Sequence, residues 1–474
     1  MKAKEKGHDG AYLFDLSYPS MIAFMQYAER RDLREKIYRA HNTRCVGGEF
    51  DNRDIVIRIA EIRNEIARLL GHKNYAEYVL EHRMAQNSDR VYNLLNQLLK
   101  AYKPTALREI KQLQAFAEKK EGHPVKLMPW DYSYYSTLQK DELYDLNDEM
   151  LKPYFELEQV KKGVFGLATR LYGLTFKKNS EIPVYHPEVE TFEVFDEDGS
   201  YLGVLYTDFY PRSTKQGGAW MTSFKDQWIT REGENSRPHI SLVMNFTRPT
   251  ESIPALLTYD EVETFLHEFG HALHGLMANS RYESLSGTNV YRDFVELPSQ
   301  LMENWLPEQE FLATFAHHHL TDEVLPDSLI QKIRNTQRYH VGYHCVRQLT
   351  FGMLDMAWHT QTEKIEDITA FEQNAISPTQ LLPVIDGTLI SSQFSHVFGG
   401  GYAAGYYGYK WAEVLDADAF SLFKENGIFD KKTAEAFRKN ILEKGDTEEP
   451  MTLYVRFRGR EPEIEAMMRR DGIK

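Results

Sequence analysis

Thr258-Tyr259-Asp260-Glu261-Val262-Glu263-Thr264-Phe265-Leu266-His267-Glu268-Phe269-Gly270-His271-Ala272-Leu273-His274 decides how the rest of the chain is read. Thr258 followed by Glu261 is a capping box, and Leu257 with Val262 can close a hydrophobic staple over it. Val262, Phe265, Leu266, Phe269, Leu273 and Leu276 then recur at helical spacing and predict one buried face. Inside this helix lies His267-Glu268-x-x-His271. Histidines four residues apart stand one turn apart on the same face, so both imidazoles can reach one metal ion. Glu268 projects beside them and is free to act on a metal-bound water. With 17 histidines in 474 residues, a chance match has a probability on the order of a few per cent, so the helical context carries weight. Gly270 costs about 1 kcal/mol against Ala in a helix interior, which predicts a close approach by another element.

The third ligand must come from elsewhere. His274 is seven residues from His267, about 10.5 Å along the axis, whereas metal–nitrogen bonds are about 2.0–2.1 Å. A metzincin needs Gly at 274 and His at 277; the chain has His274 and Met277, which excludes that class. Downstream, Asp293-Phe294-Val295-Glu296-Leu297-Pro298-Ser299-Gln300-Leu301-Met302-Glu303 reads as a second helix after a loop. Glu296 would complete a two-His, one-Glu site with an open position for water. Asp293 and Glu303, three and seven residues from Glu296, are candidates to orient a ligand imidazole through its other nitrogen.

Together, His267-Glu268-Phe269-Gly270-His271 and Asp293-Phe294-Val295-Glu296-Leu297-Pro298-Ser299-Gln300 resemble the M3 metallopeptidases. The resemblance extends from Pro19-Ser20-Met21 to the tyrosine-rich segment near residue 402 and is strongest to the bacterial peptidyl-dipeptidase branch. It implies a mainly α, zincin-like (gluzincin) fold with one Zn2+ ion and short peptides as substrates. The family also has a helical region before the part matched here near residue 10. The chain is therefore expected to be the C-terminal portion of a longer protein, or a short relative.

Composition agrees with a globular enzyme. The chain is 42% hydrophobic and 13% aromatic, enough for a large core. A net charge of −14 argues against a nucleic-acid surface. There is no run of about 18 apolar residues to span a membrane. Cys45 and Cys345 are too few for a disulfide framework and fit a reducing compartment. Met1 to Gly10 has no apolar stretch of the kind a secretory signal needs. Cytoplasmic location and a monomeric state are the expectations.

Three consecutive regions are expected: a helical lobe over 1–180, a small sheet over 181–250, and a helical zinc- and substrate-binding lobe over 251–474. In the first, Ile55, Ile59, Ile62, Ile66 and Leu69 predict the apolar face of a helix from Asp51 to Leu70. A further helix is expected to begin near Ser17 and Pro19. In the second, Thr191–Phe195 and Tyr201–Asp208 flank the turn Asp196-Glu197-Asp198-Gly199 and predict a hairpin. Gly218, Ala219 and Trp220 are placed near a sheet edge that could pair with peptide backbone. His317-His318-His319 points in successive directions and makes a poor single site.

The last chemical stretch is His396-Val397-Phe398-Gly399-Gly400-Gly401-Tyr402-Ala403-Ala404-Gly405-Tyr406-Tyr407-Gly408-Tyr409. Spacings of four and three put Tyr402, Tyr406 and Tyr409 on one helical face, and a phenol can donate to an oxyanion. The resemblance assigns substrate binding to His396, Tyr402 and Tyr409, with Tyr406 close by. The expected chemistry is zinc-dependent peptide hydrolysis with Glu268 as general base, Tyr409 and Tyr402 at the oxyanion, and His396 holding substrate. Release of C-terminal dipeptides is favoured. An endo-acting oligopeptidase and a catalytically weak peptide- or metal-binding chain stay open as alternatives.

Overall fold

Helices dominate the chain, and the strands are confined to the middle of the sequence. The computed structural model describes residues 7, 8, 10, 12–16 and 18–473, with Tyr18 and Pro19 as backbone. Most of the stretch Met1–Gly10, read above for a secretory signal, and the helix start expected at Ser17 thus lie outside the described residues.

In chain order the elements that matter here are α1 (Arg53–Leu69), α2 (Ser88–Glu121), α3 (Pro129–Tyr144) and α4 (Leu157–Tyr172). The strands β1 (Thr175–Lys178), β2 (Glu190–Phe195), β3 (Tyr201–Asp208), β4 (Trp220–Lys225), β5 (Trp228–Ile229), β6 (Asn235–Ser236) and β7 (His239–Val243) follow. Then come α5 (Tyr259–Leu276), α6 (Glu296–Glu303), α7 (Val341–Thr360), α8 (Gly408–Asn426) and α9 (Ile464–Asp471).

These elements form two compact units that do not follow the three consecutive regions expected from sequence. One comprises Met1–Glu81, Asn87–Asp145 and Arg338–Tyr407; the other comprises His82–Gln86, Leu146–Gln337 and Gly408–Lys474.

In the first unit, Val56 and Ala60 of α1 pack with Leu354 and Trp358 of α7, Leu389 and Val397. The isoleucine face predicted for α1 is instead the outer one: Ile55 is 54% exposed and Ile66 41%. Small side chains let α1 approach its neighbours closely, and periodicity alone does not show which apolar stripe is the inner one. Trp130, Tyr132 and Tyr135 of α3 are buried, and Tyr132 stacks on Tyr343 with ring centroids 3.7 Å apart. They are core residues.

In the second unit, five strands form one sheet in the order β1-β2-β3-β7-β4. The expected hairpin is present as antiparallel β2 and β3, β3 pairs with β7 in parallel, and β4 runs antiparallel to β7 at an edge. Gly218 and Ala219 lead directly into that edge strand. The sheet lies against the C-terminal half of α5, where a Cβ on Gly275 would stand 2.7 Å from Ile240 Cδ1 and 3.0 Å from Met221 Cε. Side chains of β7 and β4 thus fill the space that Gly275 leaves open.

Candidate active site

Helix α5 begins as its sequence predicts. Glu261 N–H donates to Thr258 Oγ1 at 3.1 Å, and Thr258 N–H donates to Glu261 Oε2 at 2.8 Å. Leu257, Val262, Phe265, Leu266, Phe269, Leu273 and Leu276 are all buried. That packing fixes the rotation of the helix and turns His267 and His271 the same way.

Helix α6 crosses α5 at Gly270. A Cβ there would lie 2.6 Å from Ser299 Cα, so the two backbones touch where the motif needs a third donor. Glu296, in the first turn of α6, then reaches both imidazoles: its Oε2 is 3.3 Å from His267 Nε2 and 3.2 Å from His271 Nε2. For bonds of about 2.0–2.1 Å, donors around a tetrahedral ion stand about 3.3 Å apart. The spacing therefore fits a small divalent cation without rearrangement. Among the described residues, this trio is the group of His, Cys, Asp or Glu that converges in this way, and His317-His318-His319 does not.

The outer contacts sort the other candidates. His267 Nδ1 is 2.5 Å from Glu303 Oε1, which sets the tautomer that leaves the Nε2 lone pair for a metal. Asp293 does not share that role. Its two carboxylate oxygens accept the N–H groups of Met84 and Ala85 at 3.0 and 3.1 Å. Asp293 lies in the turn that leads into α6, which starts at Glu296. His271 Nδ1 is buried and has no hydrogen-bond partner among the described residues. His274 is fully buried at the far end of the turn, where burial pushes its imidazole down to about 3. It is a neutral core residue.

Glu268 is 6% exposed and stands beside the trio. Burial pushes its carboxyl above the ordinary range, while His267 and His271 draw it back and the Met221 N–H of β4 donates to it. The same residue thus touches the edge strand and faces the metal-ligating side of α5. Burial also disfavours the Glu296 carboxylate, but the two imidazoles outweigh it and hold that group well below its usual range. A buried carboxylate that stays ionised beside two imidazoles is a ready cation ligand.

Tyr409 belongs to the same unit, in the first turn of α8, and its carbonyl lies 3.5 Å from Gln300 Nε2 of α6. His396, Tyr402 and Tyr406 belong to the other unit. The single helical face predicted for Tyr402, Tyr406 and Tyr409 is absent, because α8 begins only at Gly408. Ala404 has φ +50°, and the N–H groups of Ala404, Gly405 and Tyr406 each donate to the Asp355 carboxylate at 2.9 Å. Those donors are spent on a side chain, so no helix propagates through them. His396 and Tyr402 remain neighbours, with ring centroids 5.9 Å apart. Asp355 and His359, an i,i+4 pair on α7, carried no signal beyond amphipathic periodicity and were not singled out in the sequence.

The sequence profile of peptidase family M3 matches residues 24–473. The chain belongs to peptidase family M3. Oligopeptidase A of Escherichia coli K12 is 42% identical over 484 residues, covering 100% of this chain and 70% of that protein. Dipeptidyl carboxypeptidase of the same strain is 38% identical over 476 residues, covering 99% and 69%. The M3 chain thus shares somewhat more identity with the oligopeptidase than with the dipeptidyl branch singled out from its motifs. Among solved structures, PZ peptidase A with inhibitor 2 superimposes with a TM-score of 0.55 at 16% identity, covering 96% of this chain and 70% of that one. Its likeness shows the fold, which is mainly α and zincin-like with a small sheet. The M3 chain is accordingly a metallopeptidase, and membership implies a metal cofactor. No helix among the described residues is long and apolar enough to cross a membrane.

Proposed function

We infer that this M3 peptidase hydrolyses oligopeptides with a single zinc ion held by His267, His271 and Glu296. The separation of 3.2–3.3 Å between the Glu296 oxygen and both imidazole nitrogens carries this reading. Zinc on these donors supplies an acidified water and a Lewis acid for the scissile carbonyl. Glu268 accepts the water's proton and passes it to the leaving nitrogen; its burial raises its proton affinity toward that task. Glu303 keeps His267 in the tautomer that presents Nε2.

Tyr409, assisted by Tyr402, is assigned to the charge that develops on the carbonyl oxygen. His396 and Tyr406 are assigned to substrate. These roles come from family likeness, supported for Tyr409 by its position against α6. Gly218 and Ala219, immediately before the edge strand, suit pairing with an extended peptide whatever its side chains.

Two modes share this chemistry, release of C-terminal dipeptides and cleavage at internal bonds. The higher identity with oligopeptidase A weighs toward the second. Digestion of a peptide of about ten residues, with products identified by mass spectrometry, separates them. Internal cuts are expected. A ladder losing two residues at a time from the C-terminus would establish the dipeptidyl mode. No cleavage by a zinc-loaded sample would contradict the peptidase reading itself.

A further inference from the structure

Tyr409, Glu413 and Asp416 follow one another on α8 at spacings of four and three, so they share one face. That face meets α6. Asn304, the C-cap of α6 next to Glu303, donates from Nδ2 to Asp416 Oδ1 at 2.8 Å, and Gln300 approaches the Tyr409 carbonyl one turn earlier. Gln300 in turn lies one helical turn beyond Glu296. The register between α6 and α8 therefore sets where Tyr409 stands relative to the carboxylates on α6.

Two carboxylates one turn apart make that register costly. Asp416 is 1% exposed, and Glu303 is close enough to add to the repulsion. Arg470, in the last turn of α9, supplies the opposing charge as a fork. Its Nη2 is 2.8 Å from Glu413 Oε1 and its Nη1 is 3.1 Å from Asp416 Oδ1. Lys410 also pairs with Glu413. The guanidinium bridges both acids, and Asp416 Oδ1 is the same oxygen that Asn304 holds. A link thus runs from α9 through α8 to the end of α6.

We propose that Arg470 is a positioning residue for peptide hydrolysis: by bridging Glu413 and Asp416 it fixes the Tyr409 face of α8 against α6. This rests on the assignment of Tyr409 to the substrate carbonyl. A displacement of about 1 Å at a group that acts in the transition state costs on the order of 10²-fold in rate. A group used mainly after substrate is bound changes kcat more than KM.

The test compares kcat, KM and zinc content across variants of the whole chain. Arg470→Met keeps the stem and removes the fork. We expect kcat to fall about tenfold or more, KM to change less than about twofold, and zinc to stay at one per chain. Arg470→Lys, a point charge, should fall in between. Combining Glu413→Gln, Asp416→Asn and Arg470→Met removes the repulsion together with its remedy and should recover most of the lost kcat. Parent-like kcat for Arg470→Met overturns the proposal, as does a triple variant no better than the single one. Should Arg470→Met not fold, parent-like kcat for Arg470→Lys overturns it equally. Tyr409→Phe distinguishes the two levels: full activity there removes the Tyr409 assignment and the proposal with it. Lost kcat in Tyr409→Phe beside parent-like kcat in Arg470→Met removes the proposal alone.

Discussion

Gly270 and Ser299 bring α5 and α6 into backbone contact: a Cβ on Gly270 would stand 2.6 Å from Ser299 Cα. The obstacle is main chain, which has no rotamer to escape into. In an isolated helix Gly270→Ala should stabilise by about 1 kcal/mol. Here overpacking should cost about 1–3 kcal/mol or more and push Glu296 away from the two histidines. Urea unfolding checks the sign, and a stabilised variant would show that the helices are not in contact.

The site was legible in the sequence where local rules act alone. The capping box, the apolar face and the two-His motif all lie within one helix, and the structure shows the same packing face. Gly270 even announced its neighbour. Asp293 misled because its carboxylate is taken by the N–H groups of Met84 and Ala85, partners too distant in sequence for spacing to reveal. The tyrosines after residue 401 misled for a related reason, since a buried carboxylate distant in sequence, Asp355, takes the N–H groups a helix would need. The outward isoleucines of α1 show the same limit: periodicity finds a stripe, and packing chooses the side.

Glu303 holds His267 through a contact of 2.5 Å. Glu303→Gln retains the shape but loses the charge that raises the basicity of the imidazole. Zinc affinity should fall about 10–100-fold, measured by competition with a chelator of known affinity. An unchanged affinity would mean the contact is incidental to metal binding.

Asp355 accepts three successive N–H groups and is fully buried. Asp355→Asn puts an amide NH2 among those donors and should cost about 1–3 kcal/mol. Hydrogen exchange should rise at Ala404, Gly405 and Tyr406. Unchanged protection there would show that the segment is held by other contacts.

Acid sensitivity follows from His274, whose imidazole burial pushes down to about 3 from an ordinary 6.5. Between those values the unfolded chain binds a proton that the folded chain refuses. Stability should therefore be complete above about pH 6.5 and fall by about 1.4 kcal/mol per pH unit on acidification toward pH 3. His340, also pushed down to about 3 by burial, contributes in the same direction. His274→Leu in the metal-free chain should make unfolding midpoints between pH 5 and 6.5 less dependent on pH. An identical slope would place the proton uptake elsewhere.

The most direct test of the account is kcat/KM for Glu268→Gln at one bound zinc per chain. Glu268 sits beside the ligand trio without belonging to it, so the variant should keep its metal. Its activity on an oligopeptide should fall about 10²–10⁴-fold, the usual contribution of a general base. Full activity with zinc bound would contradict the mechanism.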